Sequence, residues 1–333
     1  MQKILLLRFS SIGDIVLTSP VVRCLKTQLK EVELHYLTKK AFAPILEANP
    51  YIDKVYTFDK TTQPLKKVIQ VLKSENYHLI VDLHKNFRSW YVRQKLGIKA
   101  LVFDKINYQK WLLTQFKINK MPDLHIVDRY LNTVKSLQIQ NDNKGLDYTI
   151  PTADKVVLHD IDQRLQTNNY IAFVIGAAHA TKRLPPAKIK AICSLLKTKL
   201  IVLIGGKGDL AAAQIAQEAG AHLINICGQL NLHQSASVVQ QAGLVVAHDT
   251  GFMHIAAALK RPIVSIWGNT VPDFGMYPYL PPDAPQHHII EHNALNCRPC
   301  SKIGYKRCPK GHFKCMQELD NQTIVNTIQS LTK

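Results

Sequence analysis

The run Val245-Val246-Ala247-His248-Asp249-Thr250-Gly251-Phe252-Met253-His254 leads into an alanine-rich stretch ending at Leu259. A β-branched strand thus passes through a turn of small polar residues straight into a helix. The first backbone N–H groups of such a helix have no intrahelical partner, and its dipole adds positive charge at that end, so the turn is an anion site. Asp249 can hold a ribose hydroxyl, and His254, about one helical turn in, can reach a phosphate oxygen. Taken alone, the arrangement fits many nucleotide binders.

Four further constellations carry chemistry. Ser10-Ser11-Ile12-Gly13-Asp14 closes a strand and opens a helix. Asp14 there is either a helix cap or a general base, with Gly13 letting a sugar approach the backbone closely. Gly176-Ala177-Ala178-His179-Ala180-Thr181-Lys182-Arg183-Leu184-Pro185 offers small residues, a hydroxyl and two cations, which suits a diphosphate; a solvated basic loop is the alternative. Gly205-Gly206-Lys207-Gly208-Asp209 is a glycine-rich turn whose carboxylate can accept from a ribose or an adenine group. In His84-Lys85-Asn86-Phe87-Arg88-Ser89, Arg88 can pair with a carboxylate or phosphate, or simply stand in solvent at a helix start.

The tail holds Cys297, Cys300, Cys308 and Cys315, with His312 among them. The spacing admits a structural zinc knot. Reduced, buried thiols acting as small hydrophobes are the expectation, and disulfides are set aside for a cytoplasmic chain.

The elements that must position these residues alternate. Strands are predicted over Ile4 to Arg8, Val32 to Thr38 and Leu79 to Leu83, and helices over Ile15 to Leu29, Ala41 to Ala48 and Leu65 to Ser74. A polar stretch from Gln140 to Asp154, carrying Gly145 and Pro151, interrupts the pattern and reads as a linker. The alternation then resumes with strands Tyr170 to Ile175, Leu200 to Ile204 and Ile263 to Trp267, and helices Ala187 to Lys197 and Leu210 to Ala219. This implies two doubly wound α/β domains, with ligands outside the carboxyl ends of the strands, in a cleft where the two domains face each other.

At 333 residues the chain has room for two domains of roughly 150 residues each. No apolar run approaches the roughly 20 residues needed to span a bilayer, and Ile4-Leu5-Leu6-Leu7 lacks the length and cleavage site of a signal peptide. A cytoplasmic protein is expected. The formal charge of +18 calls for an anionic partner: a phosphorylated metabolite, an acidic lipid face or nucleic acid. Aromatics are not interleaved with the cations and no finger or helix-turn-helix spacing occurs, which sets nucleic acid aside. Lys39, Lys40, Lys66 and Lys67 suit an anionic membrane surface.

The Ser-Ser-Ile-Gly-Asp turn, the Lys-Arg-Leu-Pro loop, the Asp-Thr-Gly-Phe-Met-His turn and Gly268-Asn269-Thr270 stand in an order that resembles the ADP-heptose:lipopolysaccharide heptosyltransferases, glycosyltransferase family 9. The likeness covers nearly the whole chain, and the Cys-rich tail looks most like the heptosyltransferase II branch. The resemblance implies a GT-B fold of two Rossmann-like domains: residues 1–150 binding the acceptor, 151–316 binding the donor, and a helix in 317–333 returning toward the first domain. It implies an inverting, metal-independent transfer of a heptose or related sugar from an ADP-sugar to a lipopolysaccharide inner-core acceptor, with no cofactor. Peripheral contact with the inner face of the inner membrane and no nucleic-acid partner follow from it.

By position, Asp14 resembles the catalytic base and Lys182 the diphosphate lysine. Thr181, Asp209, Leu230, Asp249, Thr250, Gly251 and His254 complete the expected donor site, with Leu230 lining the adenine pocket. The acceptor side is expected at Ser11, Gly13, His84 and Arg88. Two departures stand out: Asn269 replaces the usual proline, and a single hydroxyl, Thr181, precedes Lys182. A nucleotide-sugar epimerase of the same fold and a basic nucleic-acid module are the competing readings.

Overall fold

Ile4-Leu5-Leu6-Leu7 is apolar on both faces, which suits a strand in the middle of a parallel sheet covered by helices on both sides, and all four side chains are fully buried. The computed structural model describes residues 2–284 and 286–332. In chain order it has β1 (Gln2–Leu7), α1 (Ile12–Val16), α2 (Ser19–Gln28), β2 (Val32–Lys39), α3 (Pro44–Glu47), β3 (Lys54–Phe58), α4 (Leu65–Ser74), β4 (Leu79–Asp82), α5 (Phe87–Leu96), β5 (Ala100–Val102), α6 (Asn107–Phe116) and α7 (Ile126–Thr133). These are followed by β6 (Tyr170–Val174), α8 (Pro186–Ser194), β7 (Leu200–Ile204), α9 (Leu210–Gln217), β8 (Leu223–Asn225), α10 (Leu232–Gln241), β9 (Leu244–His248), α11 (Gly251–Ala258), β10 (Ile263–Trp267), β11 (His287–Glu291), α12 (Lys314–Gln317) and α13 (Asn321–Leu331).

One unit comprises Met1–Ile106 with Leu124–Thr149, the other Asn107–Asp123 with Ile150–Lys333. The first sheet has the order β3-β2-β1-β4-β5 and the second β11-β10-β9-β6-β7-β8, and every pairing is parallel. In each, the strand order reverses direction once, between β1 and β4 and between β6 and β9. Ligands of doubly wound sheets bind at such switch points, beyond the carboxyl ends of the strands. Every turn singled out in the sequence follows one of these ends.

Two expectations are corrected. The helix read over Ile15 to Leu29 is two helices, because Pro20 has no N–H to give and its ring crowds the preceding turn; Thr18 closes the break with its hydroxyl on the Ile15 carbonyl at 2.7 Å. The helix read over Ala41 to Ala48 is likewise reduced to a 3-10 turn and the short α3, which starts at Pro44. The chain divides between Thr149 and Ile150, and residues 107–123 cluster with the second unit. In that unit Leu113 of α6 packs with Val271, Phe274 and Met121. Within that same unit Ile324, Val325 and Ile328 of α13 join Ile189, Ile192 and Leu196 in the core.

Candidate active site

In the first unit, β1 runs out into Arg8, and β4, its neighbour across the switch point, runs out into His84. Arg8 is buried and held by fixed acceptors: Nη1 donates to the Leu83 carbonyl (2.7 Å) and to Tyr130 Oη (3.0 Å), and Nε donates to the Ser10 carbonyl (2.9 Å). The remaining nitrogen, Nη2, lies 2.6 Å from Asp14 Oδ1. The other carboxylate oxygen accepts from the Ser11 hydroxyl (2.8 Å) and the Ser11 N–H (3.2 Å). Cap and candidate base are therefore one group, the third residue of α1.

Burial alone would raise the Asp14 carboxyl, but the Arg8 charge and the two Ser11 donors outweigh it and hold the group down to about 2. Arg8 is the residue that sequence reasoning missed. Its only local signal was a cation at the end of an apolar strand, just before the Gly-Asp turn.

His84 packs its ring against Phe9 at 4.8 Å between centroids. Burial and the Arg8 charge push its imidazole down to about 3, so it is neutral at physiological pH, and its Nδ1 has no partner. It can serve a hydroxyl but not as a counter-cation. The buried Asp82 carboxylate aims this loop, taking the His84 and Lys85 N–H groups at 2.9 and 2.8 Å. Ser11 and Gly13 stand in the same turn as Asp14. Arg88, in the first turn of α5, is exposed and has no hydrogen bond or ion pair among the described residues.

In the second unit three neighbouring strands, β6, β9 and β10, deliver the other cluster. Lys182 Nζ is 2.5 Å from Asp249 Oδ2, and the Thr270 hydroxyl donates to the same oxygen at 2.7 Å. The Leu184 N–H donates to His248 Nε2 at 3.0 Å, tying the cationic loop to β9; burial and the Arg183 charge push that histidine down to about 3. Thr250 is the N-cap of α11, yet its side chain makes no cap bond, and its hydroxyl is buried without a partner among the described residues. Both ends of the Asn269 carboxamide are equally unmet, at 1% exposure. Buried polar atoms are nearly always paired in native proteins, so Thr250 and Asn269 mark where a polar ligand or water belongs. Gly251 opens this helix, and His254 is buried in its first turn.

Two further expected donor residues carry contacts within the chain, and a third lines a cavity. The Thr181 hydroxyl accepts from the Tyr305 N–H at 2.8 Å and lies 3.2 Å from the Tyr305 carbonyl, which fixes the loop. Asp209 is paired with Arg183 (3.1 Å) and takes the Gly206 N–H (2.9 Å). Gly176 and Gly205 make room for it: a Cβ at Gly176 would collide with its carboxylate, and one at Gly205 would lie 2.9 Å from its Cβ. Leu230 lines a separate, half-open cavity of about 590 Å³ in which Val156, Val157, Ile161, Ile224 and Ile226 are interspersed with Lys155, Asp160, Asn225, Gln229 and Gln234.

The Cys-rich segment reaches both donor turns. Arg298, buried, donates through Nε to the Gly268 carbonyl (2.6 Å) and through Nη2 to the Thr270 carbonyl (2.9 Å). It also binds the His292 carbonyl (2.7 Å) and the Glu291 carboxylate (2.8 Å). The Cys300 N–H donates to the Asn269 carbonyl at 3.0 Å, and Tyr305 holds Thr181. One loop thus clamps the 176–185 and 268–270 turns, and no spacing rule in the sequence announced it.

Among the described residues, no group of three or more His, Cys, Asp or Glu is arranged to hold a metal ion. Cys315 lies in the core, its thiol pushed up to about 12 by burial, and Cys300 is pushed up to about 11 by burial and by Cys297 and Cys308. Cys297, Cys300 and Cys308 are half-buried, and the Cys297 thiol lies 3.9 Å from His312 Nε2. The purified chain is expected to carry little or no zinc by elemental analysis; about one zinc per chain, the stoichiometry of a four-ligand structural site, would contradict this.

Residues 65–309 match the model of glycosyltransferase family 9 (heptosyltransferase). Lipopolysaccharide heptosyltransferase 1 of Campylobacter coli is 26% identical over 81% of this chain and 84% of its own length. A family 9 glycosyltransferase from Veillonella parvula has the same fold at a TM-score of 0.81, with 20% identity over 99% of this chain and 97% of that one. The ADP-heptose lps heptosyltransferase II of E. coli superposes at a TM-score of 0.71, with 20% identity over 99% and 98% of the two chains. With the match spanning most of its length, the chain belongs to glycosyltransferase family 9, the heptosyltransferase family.

Proposed function

We propose that this glycosyltransferase moves a heptose, or a closely related sugar, from an ADP-sugar onto the inner core of a lipopolysaccharide. The observation that carries the reading is the second unit's donor turn. There a lysine, the open N-terminus of α11, and the partnerless Thr250 and Asn269 are gathered beyond the carboxyl ends of adjacent strands. The relative from E. coli, named for ADP-heptose, and the one from C. coli, named for lipopolysaccharide, supply the substrate classes. Family membership favours sugar transfer over the epimerase and nucleic-acid readings.

The chemistry needs a proton acceptor for the attacking hydroxyl and a sink for the charge on the departing diphosphate. Asp14 supplies the first. Its low proton affinity is no obstacle if proton transfer is late, because an oxygen that has begun to bond to the sugar carbon is far more acidic than a free hydroxyl. Lys182, now paired with Asp249, turns to the diphosphate when it arrives, alongside the α11 N-terminus. With these cations at the leaving group the reaction proceeds as a direct inverting displacement without a divalent metal or other cofactor. Activity in EDTA is expected to equal that without it. The acceptor's lipid places the enzyme at the inner face of the inner membrane as a peripheral protein, and no helix of the described residues is long and apolar enough to cross it.

The test is incubation of the protein with ADP-heptose and lipopolysaccharide from a heptose-deficient strain. Mass spectrometry should show the lipid gaining one heptose as ADP is released; donor consumed without lipid extension would refute the reading. Lys182→Ala and His254→Ala should each weaken ADP binding by about 1.5–3 kcal/mol, the range for a lost charged hydrogen bond. Unchanged calorimetric affinity in both variants would remove the donor site from this turn.

A further inference from the structure

One face of α6 packs in a core and the opposite face is apolar as well. Leu113 points inward to Val271 and Phe274, while Tyr108, Trp111, Phe116 and the following Ile118 are 66%, 47%, 57% and 47% exposed. The rings form one cluster: Tyr108 and Trp111 lie 6.1 Å apart with planes at 27°, and Trp111 meets Phe116 edge to face at 5.0 Å. Soluble monomers rarely leave such a patch in water without a use for it. From Asp104 to Asp123 the chain carries four lysines, at 105, 110, 117 and 120, against those two carboxylates, a net charge of +2, and the Lys117 ammonium donates to the Thr114 and Pro299 carbonyls at 2.6 and 2.8 Å.

We propose that this face of α6 is the surface by which the chain rests on an anionic lipid layer. Indole and phenol rings favour the boundary between headgroups and acyl chains, and the net positive charge of the segment favours a negative layer over a neutral one. Phe116 turns its edge on Trp111, and Ile118 extends the patch as plain hydrocarbon. A lipid boundary uses both features, whereas a sugar-stacking platform needs free ring faces. The proposal rests on the reading above that the acceptor is lipid-linked, since such an acceptor brings the enzyme to a membrane surface.

The chain has three tryptophans, and Trp267 is buried, so in Trp90→Phe the one exposed indole is Trp111. Vesicles of phosphatidylglycerol and phosphatidylethanolamine should shift its emission to the blue, and brominated acyl chains should quench it. Phosphatidylcholine vesicles should do neither, and added salt should weaken the effect. Tyr108→Ala/Trp111→Ala/Phe116→Ala should sediment with the anionic vesicles roughly tenfold less well, while keeping its melting temperature and its turnover of a delipidated, water-soluble acceptor.

Anionic vesicles that leave Trp111 emission unchanged, or a triple variant that sediments like the parent, would overturn the proposal. So would equal loss of turnover on the soluble acceptor, which would make the rings a saccharide platform. A blue shift that follows protein concentration without vesicles would assign the face to a second copy of the chain. Failure to extend any lipopolysaccharide would instead sink the functional reading, leaving the fluorescence result to judge the surface by itself.

Discussion

Asp14→Asn is expected to lower kcat by roughly 10² or more while leaving ADP affinity nearly unchanged, the pattern of a lost general base. The amide can keep the contacts to Ser11 but cannot accept a proton, and the proposed ADP site lies in the other unit, so calorimetry reports whether the second unit is intact. Near-normal turnover would return Asp14 to capping alone. Arg8 supplies the sharper test. With Asp14 held at about 2, its ionisation is complete throughout the working range and should give no acid limb in the pH–rate profile. In Arg8→Met the burial penalty is no longer opposed, so the carboxyl rises, and an acid limb should appear between roughly pH 4 and 6. A profile that stays flat would show that Asp14 does not take the proton.

The same pair has a stability consequence whose sign is set by the lowered carboxyl. A carboxylate held below its unfolded value contributes stability that is fully present above about pH 4 and is lost as pH falls toward 2. The contribution is about 2 kcal/mol, reduced by whatever solvent reaches the group. Acid unfolding of Arg8→Met should accordingly show a weaker pH dependence across that window than the parent.

Arg298→Met is expected to weaken ADP binding by about 2–3 kcal/mol, a loss of roughly 30- to 150-fold, although Arg298 reaches the donor turn only through its backbone. The substitution strips a charged partner from the carbonyls of Gly268, Thr270 and His292 and leaves Glu291 unpaired. The freed turn carries Thr270, whose hydroxyl orients Asp249, which in turn positions Lys182. Arg298→Lys should recover little, since an ammonium cannot serve four acceptors spread across a planar fork.

A double-mutant cycle separates positioning from general softening. If Arg298 acts through the turn, its effect on ADP affinity and that of Thr270→Val should be markedly less than additive. Additive losses would show that the clamp serves stability alone.

Much of this protein was determined locally and could be read from the residues. Parallel strands buried on both faces appear as unbroken apolar runs, and β1, β6, β7, β9 and β10 were visible for that reason. The donor turn was legible because Asp249, Thr250, Gly251 and His254 are nearly contiguous: a strand, a turn of small residues and a helix start suffice to aim free N–H groups at an anion. β3, β5, β8 and β11 escaped notice because they are the edge strands of the two sheets, only partly buried, and carry no long unbroken apolar run.

Tertiary structure alone decided which distant groups complete each site. Arg8 finds Tyr130, 122 positions away, and Thr181 finds Tyr305, 124 positions away. Asp209, expected to face a ribose, closes onto Arg183, and α13 fills a core from the far end of the chain. The physical reason is common to all of these. Backbone conformation follows from neighbouring side chains, but a buried charge or hydroxyl must be satisfied by whatever the folded chain brings within 3 Å, and nothing in local pattern names that partner.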